Sequence, residues 1–420
     1  MKKPLHKHIS HQARRVHRNT IGHFTKYLYE RDTIFATIWV FIFIFGLAAI
    51  PLNLGFLNPI KLSLKDFDFN DISYSKLHVG EEPKIDTRVV IINIDQANRG
   101  ELAMMINKAA TYHPKVMALD VLFEKAHDDP EQDSMINDAF ARNKNLVAAQ
   151  RLAPSGPDGD TIRTHGDYIK TASQYAFVNF FQDSLSSIRY YEPFEKDYQK
   201  KLYKSFAAQI IQIYDSTAYK KLKSKGNHQT QINYSRRLNG YIHVHWQELM
   251  EDKFDSSFLE GKIVLFGYLS EEETDILDKK FTPMNHRFYG KTVPDMNGIV
   301  IHANIISMAL DDDYVKKLPL WANMLIAVLV CWLFMSFFIR YYLESHIWFH
   351  LVAKIVQVIS AILFVWVGVY LFNKYRLKVD LKYSLIVIVL AVDVIYFYEA
   401  WAVWMHKKFN YKTVFKPHHH

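Results

Sequence analysis

The chain has 420 residues, half of them apolar, and a formal net charge of +8 at pH 7. Its basic residues gather beside long apolar runs rather than on one aromatic-rich patch, which argues against a nucleic-acid partner and for a membrane protein. Cys331 is the single cysteine, so no intrachain disulfide forms and any folded domain must be stabilised by its own core.

Four uncharged or nearly uncharged apolar stretches are long enough to cross a bilayer. At about 1.5 Å rise per residue, each stretch covers most of a roughly 30 Å hydrocarbon core. Only the fourth stretch carries acids, Asp393 and Glu399. The predicted transmembrane helices are residues 33–54, 318–340, 347–372 and 383–405.

The segment before the first span, residues 1–32, is a strongly basic arm. Its basic residues are Lys2, Lys3, Lys7, Arg14, Arg15, Arg18, Lys26 and Arg31. This bias predicts a cytoplasmic arm, and its length argues against a cleaved signal peptide. We expect the arm to bind anionic membrane lipids, with docking onto a protein as the alternative.

Four crossings return a short tail, residues 406–420, to the cytoplasm, where its lysines agree with the positive-inside rule. The terminal His418, His419 and His420 resemble the remnant of a purification tag. One hairpin disagrees with this topology, because it places outside the basic residues Lys374, Arg376, Lys378 and Lys382.

Between the first two spans, residues 55–317 read as one α/β domain. Strand-like runs at 88–95, 116–123 and 146–149 alternate with two amphipathic helical stripes. This order predicts a mainly parallel or mixed sheet with helices on its faces. Further predictions are a loop at 153–160, strands at 175–179, 188–191, 229–234 and 262–268, a helix carrying Leu202, Phe206, Ile210 and Ile213, and a closing helix at 300–310.

Several segments of this domain, taken in order, resemble a known family. They read VVIINID, KVMALDVLFEK, FVNFFQDSLSSIRYY, GKIVLFGYLSEEETDILDKKFTPM and GIVIHANIISMAL. Over roughly residues 60–310 they resemble the type-two CHASE domain, an extracytoplasmic sensory module associated with cyclases and histidine kinases. The most specific pieces are Asp278…Thr282-Pro283 and His302-Ala303-Asn304.

In that family an output domain such as a nucleotide cyclase or a kinase usually follows the last helix. Here only residues 406–417 follow it, so the resemblance implies a form without an output domain. We therefore expect any signal to leave through the helices or through a separate subunit.

Asp95 and Asp120 end predicted parallel strands, where open α/β sheets bind ligands, so they predict a polar crevice. The favoured alternative is that both acids cap turns and the helices that follow. The other ligand-binding candidates are Asp278, Thr282, His302 and Asn304. For these four, the favoured alternative is a tight Thr-Pro loop held by hydrogen bonds from the histidine and the asparagine.

His243 and His245 face the same way on a predicted strand, a spacing that suits a metal, but the sequence offers no third ligand nearby. We therefore expect no metal and no cofactor. No phosphate-binding loop, nucleophile elbow or kinase motif occurs, so we expect no enzymatic activity.

Asp393 lies near the middle of the fourth predicted span, where an unpaired carboxylate costs at least ~2.5 kcal/mol. We expect it to bond to Lys354, to Gln357 or to a partner chain. The alternative is a neutral or snorkelling acid that only packs.

Together these observations predict a bacterial inner-membrane protein with both termini in the cytoplasm and a sensory-type domain in the periplasm. It is expected to act by binding, as an accessory or sensing subunit of a membrane complex. The expected partners are membrane lipids, other inner-membrane proteins and an unknown small ligand. The alternative is a ligand-binding receptor that signals to a separately encoded kinase or cyclase.

Overall fold

The computed structural model describes residues 27–49, 68–77, 84–155, 161–181, 187–197, 199–270, 272, 274–285, 293–344 and 346–415. The chain forms two compact units. One comprises Asp66–Val315, and the other combines Met1–Lys65 with Lys316–His420.

The helices are α1 (Arg31–Ala49), α2 (Arg99–Ala110), α3 (Pro130–Arg142), α4 (Phe206–Tyr214), α5 (Ser216–Ser224), α6 (Trp246–Met250), α7 (Gly298–Leu310), α8 (Leu320–Glu344), α9 (His346–Tyr375) and α10 (Leu381–Phe409). Short π- and 3-10 turns cover Ser73–Leu77, Leu238–Gly240 and Ser256–Phe258.

The longer strands are β1 (Asp86–Asn93), β2 (Val116–Leu119), β3 (Leu146–Ser155), β4 (Thr161–His165), β5 (Gln174–Phe177), β10 (Tyr241–His245) and β11 (Ile263–Gly267). The short strands are β6 (Tyr190–Tyr191), β7 (Phe194–Lys196), β8 (Leu202–Lys204), β9 (Thr230–Gln231), β12 (Lys279–Lys280), β13 (Met296–Asn297), β14 (Lys316–Lys317) and β15 (Leu377–Lys378).

Within the described residues, the central sheet of the Asp66–Val315 unit has seven strands. Its order is β10-β1-β11-β2-β3-β4, and β5 also pairs with β3. All of its pairings are parallel except β3 with β4. The predicted α/β fold with a mainly parallel sheet is therefore confirmed.

Both faces of this sheet are covered, which explains its continuous runs of apolar residues. Val90 and Ile92 of β1 and Val264 of β11 belong to a core that also contains the apolar stripes of α2 and α3. The alternate residues point to the opposite face, where α4 and α7 pack. There Gly267 allows a close approach, since an added Cβ would lie 2.7 Å from the Ile299 side chain.

Two local predictions in this unit are wrong. Leu202 was expected in the α4 helix, but it begins β8, and Ser205 caps the helix by accepting a hydrogen bond from the Ala208 N–H. Residues 153–155 were expected in a loop, but they extend β3 and pair with β4. The rest of that predicted loop, 156–160, lies outside the described residues.

The second unit contains four helices long and apolar enough to cross a membrane, among the residues that are described. They are α1, α8, α9 from Trp348 onward, and α10. Their bounds differ by a few residues from the predicted spans, and residues 50–54 of the first span are not described. Large apolar side chains remain exposed on their outer faces, including Leu325 at 51%, Ile362 at 65%, Trp366 at 61% and Val389 at 58%.

The α9–α10 connection lies at the end of the helices where α8 begins. Strand β15 in this connection pairs in parallel with β14, which immediately precedes α8. The Lys316 N–H donates to the Arg376 carbonyl at 2.8 Å, and the Leu318 N–H donates to that of Lys378 at 2.9 Å. The basic hairpin therefore sits at the same end as the entry to α8, as a four-crossing path requires.

The segment after α10 packs against the start of α1. The buried Asp32 carboxylate accepts hydrogen bonds from the Tyr398 hydroxyl at 2.6 Å, the Thr413 hydroxyl at 3.0 Å and the Val414 N–H at 2.6 Å. Phe415 is 2% exposed within the helix core. The predicted tail is thus part of the folded helix bundle as far as residue 415.

Candidate functional site

An open cavity of about 540 Å³ lies beside β10, an edge strand of the described sheet. Three stretches of chain line it: β10 with the turn before it, the segment after β11, and the approach to α7 with the first turn of that helix. The lining residues are Arg237, Leu238, Asn239, His243, Ser270, Lys279, Asn285, Val293, Pro294, Asp295, Met296, Asn297 and Val300.

Asp295 is fixed in the cavity wall by Thr282. The Thr282 N–H donates to Asp295 Oδ1 at 2.7 Å, and its hydroxyl donates to Oδ2 at 2.5 Å. Burial raises the pKa of Asp295 to about 6, although these two hydrogen bonds favour the charged form. The Thr-Pro element therefore shapes the cavity by holding one acid in place.

Arg237 and Lys279 bring positive charge to the same cavity. An Arg237 Nη2–H donates to the Met284 carbonyl, and the Lys279 ammonium donates to the Glu272 carbonyl. Burial lowers the pKa of Arg237, while the nearby charge of Asp295 opposes that shift.

Asp120 interacts with Asp278 rather than with Asp95. Burial, and then the charge of Asp278, raise the pKa of Asp120 to about 7. The Asp278 carboxylate accepts from the Gly298 N–H at 3.1 Å, at the start of α7, and Lys280 Nζ lies 3.7 Å from it. The structure therefore brings two of the predicted ligand-binding acids together beside the α7 N-terminus.

Asp95 occupies an exposed turn after β1 with φ +48°. Of the alternative expectation, that Asp95 and Asp120 cap turns and the helices that follow, the part concerning the helices is wrong. Asn98 caps α2 in a capping box with Glu101, and Asp129 caps α3.

His302 is buried between two aromatic rings. Its ring stacks on Phe180 at a centroid distance of 4.8 Å and meets Phe206 edge-on at 5.1 Å. Its Nδ1 has no hydrogen-bond partner among the described residues, and burial lowers its pKa to about 3. It therefore packs as a neutral ring and does not hold the Thr-Pro loop by a hydrogen bond.

Asn304 is fully buried and uses its whole amide on the backbone. Its Oδ1 accepts from the N–H groups of Ser235 and Arg236, each at 3.1 Å. Its Nδ2 donates to the carbonyls of Arg236 and Val300 at 2.9 and 3.0 Å. Asn304 was expected to hold the Thr-Pro loop by hydrogen bonds, but it fixes instead the turn that carries Arg237 into the cavity wall.

Of the two predicted strand histidines, His243 lines the cavity, whereas His245 precedes α6. Within the described ranges, no group of three or more His, Cys, Asp or Glu residues could hold a metal ion.

The sequence profile of the CHASE2 domain matches residues 38–338. The chain belongs to the CHASE2 domain family. CHASE2 domains are extracytoplasmic sensory modules, and the matched range includes the whole Asp66–Val315 unit. No curated protein and no solved structure gives a significant match to the chain.

Beyond the CHASE2 sheet unit, a second candidate site lies on α9 and α10. Lys354 Nζ is 3.6 Å from Asp393 Oδ1, and the two side chains are 59% and 53% exposed. Gln357 does not reach the acid, because its Nε2 donates to the Ile388 and Val389 carbonyls at 2.8 Å. Of the protein groups considered from the sequence, Lys354 is the one paired with Asp393.

Proposed function

We propose that this CHASE2 protein is an accessory or sensing subunit of a bacterial inner-membrane protein complex and acts by binding rather than by catalysis. Its four apolar helices would anchor it among membrane lipids and beside other inner-membrane proteins. The sheet domain would lie in the periplasm and both termini in the cytoplasm. The basic arm before α1 and the extracytoplasmic character of CHASE2 domains support this orientation.

The exposed Lys354–Asp393 pair is the observation that carries the proposal. Asp393 lies about 18 Å along α10 from Leu381, at about 1.5 Å per residue, and so falls near mid-membrane. A pair more than half exposed on a helix bundle at that depth would face hydrocarbon, where each charge costs about 2.5–3.5 kcal/mol on insertion scales. A partner helix with polar groups removes this cost, so the pair is suited to an intramembrane protein contact.

The test is mild-detergent purification of the full-length protein followed by mass spectrometry. The wild type is expected to recover other membrane proteins in fixed stoichiometry without added ligand, and Asp393→Leu is expected to lose them. Val389→Leu is the matched control, because Val389 lies one turn away on the same face and is 58% exposed.

The double variant Lys354→Leu/Asp393→Leu separates docking from internal neutralisation. If the two charges only neutralise each other, the double variant recovers the partners as the wild type does, and the proposed contact is wrong. If the pair docks a partner, recovery is lost in the double variant as well. Unchanged recovery by Asp393→Leu at normal protein level also refutes the proposal.

The cavity beside β10 favours a second candidate function, a receptor that detects a small ligand and signals to a separately encoded kinase or cyclase. A volume of about 540 Å³ lies within the range of small-molecule sites, about 300–1,000 Å³. A receptor of this kind shows a saturable rise in melting temperature with its ligand. A subunit without a ligand shows stoichiometric partners and no such rise.

A further inference from the structure

We propose that the cavity beside β10 binds a small organic anion carrying two or more carboxylate groups. The inference deepens the sensing role and rests on it, but it does not depend on the intramembrane contact. Its evidence comes from the charges, the hydrogen bonds and the polarity of the cavity wall.

Neither cation of the wall forms a salt bridge with a carboxylate in the part of the chain that the structure describes. Among the described residues, no Asp or Glu oxygen lies within salt-bridge distance, 4.0 Å, of Arg237 or Lys279. To described residues, each makes one side-chain hydrogen bond, to a backbone carbonyl, although guanidinium offers five donors and ammonium three. Most of their donor capacity is therefore unused by the described residues.

The acid in the same wall does not neutralise them. Both oxygens of Asp295 already accept hydrogen bonds from Thr282, and burial raises the pKa of its carboxyl to about 6. Among the residues that line the cavity, Arg237 and Lys279 are two cations and Asp295 is one acid, while the charge of Lys279 also acts on Asp275 outside the lining. The lining itself therefore carries a positive excess, which favours an anionic ligand.

The neutral residues of the wall suit carboxylate oxygens better than a hydrocarbon ligand. Asn239 and Asn297 add amide groups to the wall beside the cations, whereas the Ser270 hydroxyl already donates to the Glu272 carbonyl. Charge-assisted hydrogen bonds to Arg and Lys are stronger than neutral ones, and the guanidinium fork matches a carboxylate bidentately. Because Arg237 and Lys279 both line the cavity, each of two acid groups on one ligand would have a cationic partner.

The test uses the full-length protein in detergent at constant ionic strength, with sodium succinate and sodium citrate as probes. Isothermal titration and melting temperature measure binding, and succinamide serves as the uncharged analogue of succinate. Saturable binding of a carboxylate probe below about 1 mM, with none of succinamide, is the expected result.

The variants assign this binding to the cavity. Arg237→Gln and Lys279→Gln are each expected to weaken it roughly tenfold or more, because each removes a charge-assisted hydrogen bond. Lys279→Arg should retain binding, and Lys220→Gln, an exposed lysine on α5, is the control that should not change it. Melting of the ligand-free variants verifies that they fold.

Three outcomes overturn the inference. They are no saturable binding of either carboxylate probe, equal binding by folded Arg237→Gln and wild type, and tighter binding of inorganic phosphate than of succinate or citrate. The proposed subunit role is measured separately, since Arg237→Gln is expected to recover the same partner proteins as wild type. Loss of anion binding and loss of the intramembrane contact are therefore distinguishable.

Discussion

The buried ring of His302 predicts a pH-dependent loss of stability that one substitution isolates. Its pKa of about 3 in the folded protein lies well below the value of about 6.5 for an unfolded chain. Between these two pKa values His302 binds a proton in the unfolded state but not in the folded state. The free energy of unfolding therefore falls as the pH drops from about 6.5 towards 3. Replacing His302 by phenylalanine keeps an aromatic ring beside Phe180 and Phe206 but removes the titrating group.

The expected magnitude follows from the two pKa values. Between about pH 7.5 and pH 5.0, protonation of the unfolded histidine lowers the free energy of unfolding by about 2 kcal/mol. At about 2–4 °C per kcal/mol for a domain of this size, the melting temperature of the wild type should fall by roughly 4–8 °C relative to His302→Phe. The part of the difference in melting temperature between the two proteins that is the same at every pH reflects packing. The part of that difference that changes with pH reflects the ionisation of His302.

The comparison with the variant is essential because two carboxyls act in the opposite direction. Burial raises the pKa of Asp120 to about 7 and that of Asp295 to about 6, so the folded state binds protons more readily than the unfolded state and gains stability over the same pH range. These terms cancel when wild type and His302→Phe are compared at each pH. The assay is thermal unfolding of the full-length protein in detergent, followed by intrinsic fluorescence. If the difference in free energy of unfolding between wild type and His302→Phe stays constant within about 0.5 kcal/mol from pH 7.5 to 5.0, the predicted ionisation of His302 is wrong.

Substitutions at two further positions test hydrogen bonds to buried side chains. Asn304→Ala removes the acceptor of two backbone N–H groups, so we expect a cost of about 3 kcal/mol and a melting temperature lower by roughly 6–12 °C, and an unchanged value contradicts this role. Asp32→Ala leaves Tyr398, Thr413 and Val414 without their acceptor, so carboxypeptidase should digest the C-terminal segment faster. Asp32→Asn retains one acceptor oxygen and should show a smaller effect, whereas equal digestion of all three proteins argues against this contact.

The central sheet could be predicted because its strands are buried on both faces. Runs such as Val89–Ile92 need no alternation when helices cover both sides, and the stripes of α2 and α3 have the period of helices packed on one core. The short strands could not be predicted in this way. Leu202 fits the apolar period of α4, yet the Ser205 cap begins the helix after it and local pairing with β7 places it in β8.

The two candidate sites differ in how far they can be predicted from the sequence. A carboxylate near mid-membrane needs a polar partner, so the sequence predicts that Asp393 bonds to one of a few groups, Lys354 among them. The packing of α9 against α10 determines that the partner is Lys354. No pattern in the sequence predicts the cavity beside β10. Arg237, Lys279 and Asp295 come from separate segments, and a charged loop residue without an ion pair looks like any solvated one until the chain is folded.

The short parallel pairing of β14 with β15 joins the start of α8 to the connection between α9 and α10. The chain leaves α7 at Leu310 and enters this pairing at Lys316, before any turn of α8 has formed. Backbone hydrogen bonds then join it to the α9–α10 connection. The start of α8 and the adjoining ends of α9 and α10 are therefore linked by backbone hydrogen bonds, so a displacement of β14 is shared among three helices.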